Sequence, residues 1–210
     1  MLFRSSIFFQ RIRFDTSELH TDRVTLERAI AEVAARFEMS YRLSDDQVRR
    51  RVAIFVSQYD HCLFDLLWRH RAGELNGDIA LVIGNHDTHA SVAAGFAVPF
   101  VHLPISAETK PDVEARQLAL LAEHRVELVV LARYMQILSA DFLRAFPGDV
   151  INIHHSFLPA FMGGKPYQRA YERGVKLVGA TAHYATPELD EGPIIEQDVV
   201  RASHKDAVPD

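Results

Sequence analysis

Val52-Ala53-Ile54-Phe55-Val56, a helical stretch over residues 62–70, and Ile79-Ala80-Leu81-Val82-Ile83 follow one another, and this succession decides the fold class. Each short run is apolar at every position, as in a strand covered on both faces. The alternation continues downstream. Residues 91–95 read as a short helix and residues 100–103 as a third strand. Residues 110–125 read as a longer helix with Ala115, Leu118, Leu121 and Ala122 on one face. Leu128-Val129-Val130-Leu131 and Val150-Ile151-Asn152-Ile153-His154 supply a fourth and a fifth strand. Apolar strands separated by helices predict an α/β fold: an open, mostly parallel sheet with helices on both faces.

Upstream the pattern differs. Phe8, Gln10, Ile12 and Phe14 alternate with Phe9, Arg11 and Arg13, which predicts a half-buried strand over residues 7–15. Asp22 is placed to cap a helix running through Leu26, Ile30, Val33, Ala34 and Phe37. Residues 43–51 are polar and read as a linker. Two segments follow, 1–45 and 46–210. A lone strand–helix unit of the first segment's size cannot bury a core by itself, so it is expected to pack on the rest, on another chain, or on residues outside this sequence.

The chain has 210 residues, 48% of them hydrophobic and 24% charged, the profile of an ordinary globular protein. Its net charge of −5 argues against a broad nucleic-acid or membrane-surface footprint, which needs clustered Lys and Arg in excess. One cysteine, Cys62, excludes an internal disulfide framework. No apolar run reaches the length of a membrane span, and the N-terminal aromatics are interrupted by Arg4, Arg11 and Arg13, unlike a signal peptide. A cytoplasmic setting with neither membrane nor nucleic-acid partner is expected.

Ligands of open α/β sheets sit at the carboxyl ends of the strands. The polar residues collect there: Ser57-Gln58-Tyr59-Asp60-His61, Gly84-Asn85-His86-Asp87, Ala132-Arg133-Tyr134-Met135 and His154-His155-Ser156. In a strand, Asn152 and His154 share a face. An amide beside an imidazole can act on a carbonyl, the amide donating to a developing oxyanion and the imidazole moving a proton. The pair reads equally well as structural. Thr186-Pro187-Glu188-Leu189-Asp190-Glu191-Gly192-Pro193 is a loop with three carboxylates, of which Asp190 could orient and charge an imidazole. A solvated acidic loop is the plainer reading.

Three blocks in order then carry a resemblance. They are Leu131-Ala132-Arg133-Tyr134-Met135-Gln136-Ile137-Leu138-Ser139, Ile151-Asn152-Ile153-His154-His155-Ser156-Phe157-Leu158-Pro159 and Glu188-Leu189-Asp190-Glu191-Gly192-Pro193-Ile194-Ile195. The chain from Val52 onward resembles the formyltetrahydrofolate-using hydrolase/transferase family. His61-Cys62-Leu63, Asn85-His86-Asp87, Lys165-Pro166-Tyr167 and His183-Tyr184 make it most like the formyltetrahydrofolate deformylases. The resemblance implies a formyltransferase-like sheet and Asn152, His154 and Asp190 as catalytic residues. It implies a folate slot formed by Met135, Ile137, Leu138, Thr186, Glu188 and Leu189.

The implied reaction is hydrolysis of 10-formyltetrahydrofolate, a substrate rather than a cofactor, to tetrahydrofolate and formate within one-carbon metabolism and purine supply. Formyl transfer to an amine such as glycinamide ribonucleotide is the alternative. Segment 1–45 resembles part of an ACT regulatory domain, and the chain looks shortened at both ends relative to the family. An incomplete ACT-like unit implies pairing between chains as a homo-oligomer. Gly84 stands where Ser is expected, and Met162-Gly163-Gly164 where transferases have a Pro-containing turn. Neither is expected to touch the three catalytic residues.

The loop 57–62 lacks glycine and carries Asp60, which disfavours a phosphate cradle and favours water as acceptor. His61, His86, His89, His154, His155 and His183 offer metal ligands, but no HExxH-like spacing is present and no catalytic metal is expected. As strand neighbours, His154 and His155 are expected to face opposite ways. Cys62 begins an apolar helix and reads as packing.

Overall fold

The structure, a computed structural model, describes residues 12–41, 43, 45, 48–203 and 205–207. The chain divides into two units, Met1–Asp46 and Gln47–Asp210.

The first unit contains α1, Arg23–Arg36. Asp22 caps it as its sequence position predicts: its carboxylate accepts from the Thr25 N–H at 2.7 Å, satisfying a first-turn donor. Ala34 is buried, whereas Val33 and Phe37 are exposed. The strand expected over residues 7–15 lies outside the described residues as far as position 11, and residues 12–15 are not in a strand.

The second unit holds one seven-stranded sheet. Its strands are β1 (Arg50–Val56), β2 (Gly77–Gly84), β3 (Phe100–His102), β4 (Leu128–Ala132), β5 (Asp149–His154), β6 (Leu177–Tyr184) and β7 (Ile194–Arg201). The order is β3-β2-β1-β4-β5-β6-β7. The first five in that order pair in parallel; β6 pairs antiparallel with β5, and β7 antiparallel with β6. The helices are α2 (His61–Arg71), α3 (Ala90–Gly95), α4 (Lys110–Glu123), α5 (Ala140–Ala145) and α6 (Pro166–Glu172).

The all-apolar strands have the two-sided burial their composition predicts. In β1, Ala53 and Phe55 enter one core with Leu120, Leu121 and Phe142. Val52, Ile54 and Val56 enter the other with Leu63, Leu67 and Ala93. A period-two strand thus feeds a layer containing α4 and α5 and another containing α2 and α3. The strand order reverses between β1 and β4, which creates a crevice at their carboxyl ends.

The expected face of α4 is corrected. Ala115 and Ala122 are exposed, and the buried positions are Glu114, Gln117, Leu120 and Leu121. Two polar residues are buried because each anchors the chain after β4. The Gln117 amide donates to the Tyr134 hydroxyl at 2.7 Å, and Glu114 accepts from the Ser139 N–H at 2.9 Å. Ser139 in turn caps α5, accepting from the Phe142 N–H at 3.0 Å. Residues 134–139 are thereby pinned at both ends.

Candidate active site

β5 ends in Asn152 and His154. Their antiparallel partners on β6 are His183 and Thr181. Paired residues of an antiparallel ladder project to one face, so four polar side chains gather there. Thr181 fixes the turn that leaves His154: its hydroxyl donates to the Ser156 carbonyl at 2.7 Å and accepts from the Leu158 N–H at 3.1 Å.

Asp190 arrives from the loop between β6 and β7. It is buried, not solvated, and one oxygen lies 3.3 Å from His154 Nδ1 and 3.8 Å from His183 Nε2. The other accepts from the Gly163 N–H at 3.0 Å. Gly163 therefore touches the site directly, against the expectation for residues 162–164. Its φ of 84°, comfortable for glycine, aims the N–H inward. Asp190 itself has φ 60°, a left-handed backbone that Asp tolerates better than most residues. Gly192 docks the loop: a Cβ there would lie 1.7 Å from the Tyr184 carbonyl oxygen. Gly84, the other departure, has no room for a larger residue, since its Cβ would lie 2.6 Å from the Phe100 ring and the His86 carbonyl.

His183 joins the constellation although it is not among the three expected catalytic residues. Its Nδ1 lies 3.0 Å from the Tyr184 carbonyl, which only accepts, so Nδ1 carries the proton. The Asn152 NH2 only donates, so Nε2 accepts from it at 3.1 Å. Asn152 is thus turned by His183, with its second N–H left for another acceptor. His183 was missed because β6 itself was missed. The sequence of Leu177–Tyr184 carries little signal for it, since the buried positions are the small or polar Gly179, Thr181 and His183.

His154 is held below the ordinary imidazole value. Burial is the main cause and outweighs the opposing Asp190 carboxylate. The expectation that Asp190 charges His154 is therefore corrected: the resting ring is neutral, and Asp190 orients it. With Nδ1–H toward Asp190, Nε2 presents a lone pair, and that atom is buried without a hydrogen-bond partner. His155 is corrected too. β5 stops at His154, and the two rings lie 5.5 Å apart instead of on opposite faces.

A cleft opens beside these groups. Asn152, His183 and Asp190 line it with Leu131, Gln136, Ile137, Leu138, Leu143, Ala185, Thr186 and Leu189. Four of the six expected slot residues are there. Met135 is exposed outside the lining, and Glu188 is exposed with its backbone carbonyl accepting from Thr186. Among the described residues no three His, Cys, Asp or Glu side chains are grouped to hold a metal ion. No helix among them is long and apolar enough to cross a membrane.

Residues 50–210 match the formyl transferase family. A formyltetrahydrofolate deformylase of Synechocystis sp. is 50% identical over 99% of this chain and 73% of its own length. One of Mycobacterium bovis is 54% identical over 97% of this chain and 66% of its own. The crystal structure of a formyltetrahydrofolate deformylase from Pseudomonas syringae pv. tomato superposes with a TM-score of 0.84 at 46% identity, over 91% of this chain and 64% of that one. The chain spans about two thirds of the length of the relatives it matches. With half its residues shared across almost its whole length, the chain belongs to the formyl transferase family, among the formyltetrahydrofolate deformylases.

Proposed function

We propose that the chain hydrolyses 10-formyltetrahydrofolate to tetrahydrofolate and formate, using Asn152, His154 and Asp190. The observation that carries this reading is the buried Asp190 carboxylate 3.3 Å from His154, beside Asn152, on a cleft with an apolar wall of Leu131, Ile137, Leu138 and Leu143. The apolar wall suits the flat pterin, and the polar end suits the formyl group.

His154 Nε2 takes a proton from the attacking water as its oxygen bonds to the formyl carbon. The Asn152 N–H donates to the formyl oxygen as it gains charge. The proton on His154 then passes to N10 as the C–N bond breaks, and Asp190 holds the ring in one tautomer throughout. Segment 1–45 acts as a partial ACT-like regulatory unit through which chains pair, a reading supported by its resemblance to part of an ACT domain.

Asn152→Ala removes the oxyanion donor. Formate release is expected to fall ~10²–10³-fold with an unchanged far-UV spectrum. A variant retaining more than about a tenth of the rate would remove Asn152 from the mechanism. The pH profile tests His154. Protonation blocks Nε2, and burial places that event below the ordinary imidazole value. kcat/KM should hold level as pH falls through about 6.5 and decline only below it. An acid limb centred at or above that value contradicts the neutral buried base.

A further inference from the structure

Arg133 follows β4 at the point where the strand order reverses, across from the residues after β1. Open α/β sheets take ligands in this crevice. The Arg133 backbone is left-handed, with φ 57°, a conformation that is strained for a non-glycine residue. Its half-buried guanidinium lies 4.7 Å over the Tyr59 ring, a contact that fixes its orientation. Nε is fully buried with no hydrogen-bond partner, and no carboxylate of the described residues pairs with the group.

The neighbours leave that charge uncompensated. His155 is driven to about 4, by burial first and then by Arg133 and His154, against Asp190. Its ring packs edge-on against Tyr167 of α6 at 5.6 Å. Burial pushes the Cys62 thiol and the Tyr167 phenol up, while Arg133 draws both down. The Tyr167 hydroxyl is already committed to the Gly179 carbonyl at 3.0 Å. At neutral pH His155, Cys62 and Tyr167 are all uncharged. The result is an oriented cation, without an anion, one residue beyond the strand that neighbours β5.

We propose that Arg133, stacked on Tyr59 at this crevice, seats a small planar carboxylate in its guanidinium fork. The identity of the carboxylate rests on the deformylase reading, which supplies two: the formate released and the glutamyl group of the folate tail. A fork–carboxylate pair forms two parallel N–H···O bonds, one of them from the orphaned Nε.

The test titrates ¹³C-formate and p-aminobenzoylglutamate separately into the chain and follows NMR line broadening and the His155 titration. Arg133→Gly deletes the cation where glycine relaxes the backbone, and Tyr59→Leu deletes the stack at an exposed position. Formate is expected to bind the unaltered chain, at least ~10-fold more weakly in Arg133→Gly and measurably more weakly in Tyr59→Leu. His155 should titrate higher in Arg133→Gly. An Arg133-dependent response to p-aminobenzoylglutamate alone keeps the carboxylate site and assigns it to the substrate tail. Binding of neither compound, or equal binding by chain and variant, overturns the proposal. None of these readouts uses turnover, so a chain that binds carboxylate but releases no formate would refute the hydrolysis alone.

Discussion

Asp190→Asn is expected to lower kcat by about 10³ and leave the fold intact, a size set by the loss of an imidazole's orienting carboxylate. The substitution isolates charge and tautomer. Asn tolerates the left-handed φ of 60° as Asp does, and its carbonyl oxygen can still accept from the Gly163 N–H. The amide NH2 then faces His154 Nδ1 and donates to it. The ring must carry its proton on Nε2, where the mechanism needs a lone pair. Thermal unfolding measured beside kcat separates this from simple destabilisation. An Asp190→Asn variant within tenfold of the parent rate would show that Asp190 does not set the tautomer.

Gly192→Ala is expected to lower kcat at least ~10²-fold without touching any group in the reaction. The added Cβ would sit 1.7 Å from the Tyr184 carbonyl oxygen, so backbone must move. That carbonyl accepts from His183 Nδ1, and the Tyr184 N–H donates to the Pro193 carbonyl at 3.0 Å. Displacement therefore reaches both the loop that carries Asp190 and the ring that turns Asn152. A misplacement of ~1 Å is enough for a loss of this order, and relief of the overlap costs about 1–3 kcal/mol of stability. Full activity together with an unchanged Tm would show that the loop packs differently from the way described.

Legibility from the sequence followed the physics of each element. β1 and β2 were readable because strands covered on both faces need apolar residues at every position. β6 was not, because Gly179, Thr181 and His183 put small or polar groups at its buried positions. β7 is exposed along almost its whole length, so burial imposed no alternation on it. The same limit reached the site. Asn152 and His154 were found because a polar pair in an apolar strand needs a partner or a task. His183 went unplaced with its strand. The α4 face was misjudged because its buried polar residues serve the neighbouring loop, a need that helical periodicity does not display. The charge of His154 was misjudged because the sequence names the carboxylate but not the burial that opposes it.

The most direct test of the whole account supplies the purified chain with 10-formyltetrahydrofolate labelled with ¹³C in the formyl group, in buffer free of any amine acceptor. Appearance of free ¹³C-formate, matched mole for mole by tetrahydrofolate and lost in Asn152→Ala, is the predicted result. Label that stays on the folate until glycinamide ribonucleotide is added, then emerges as a formamide, would contradict it.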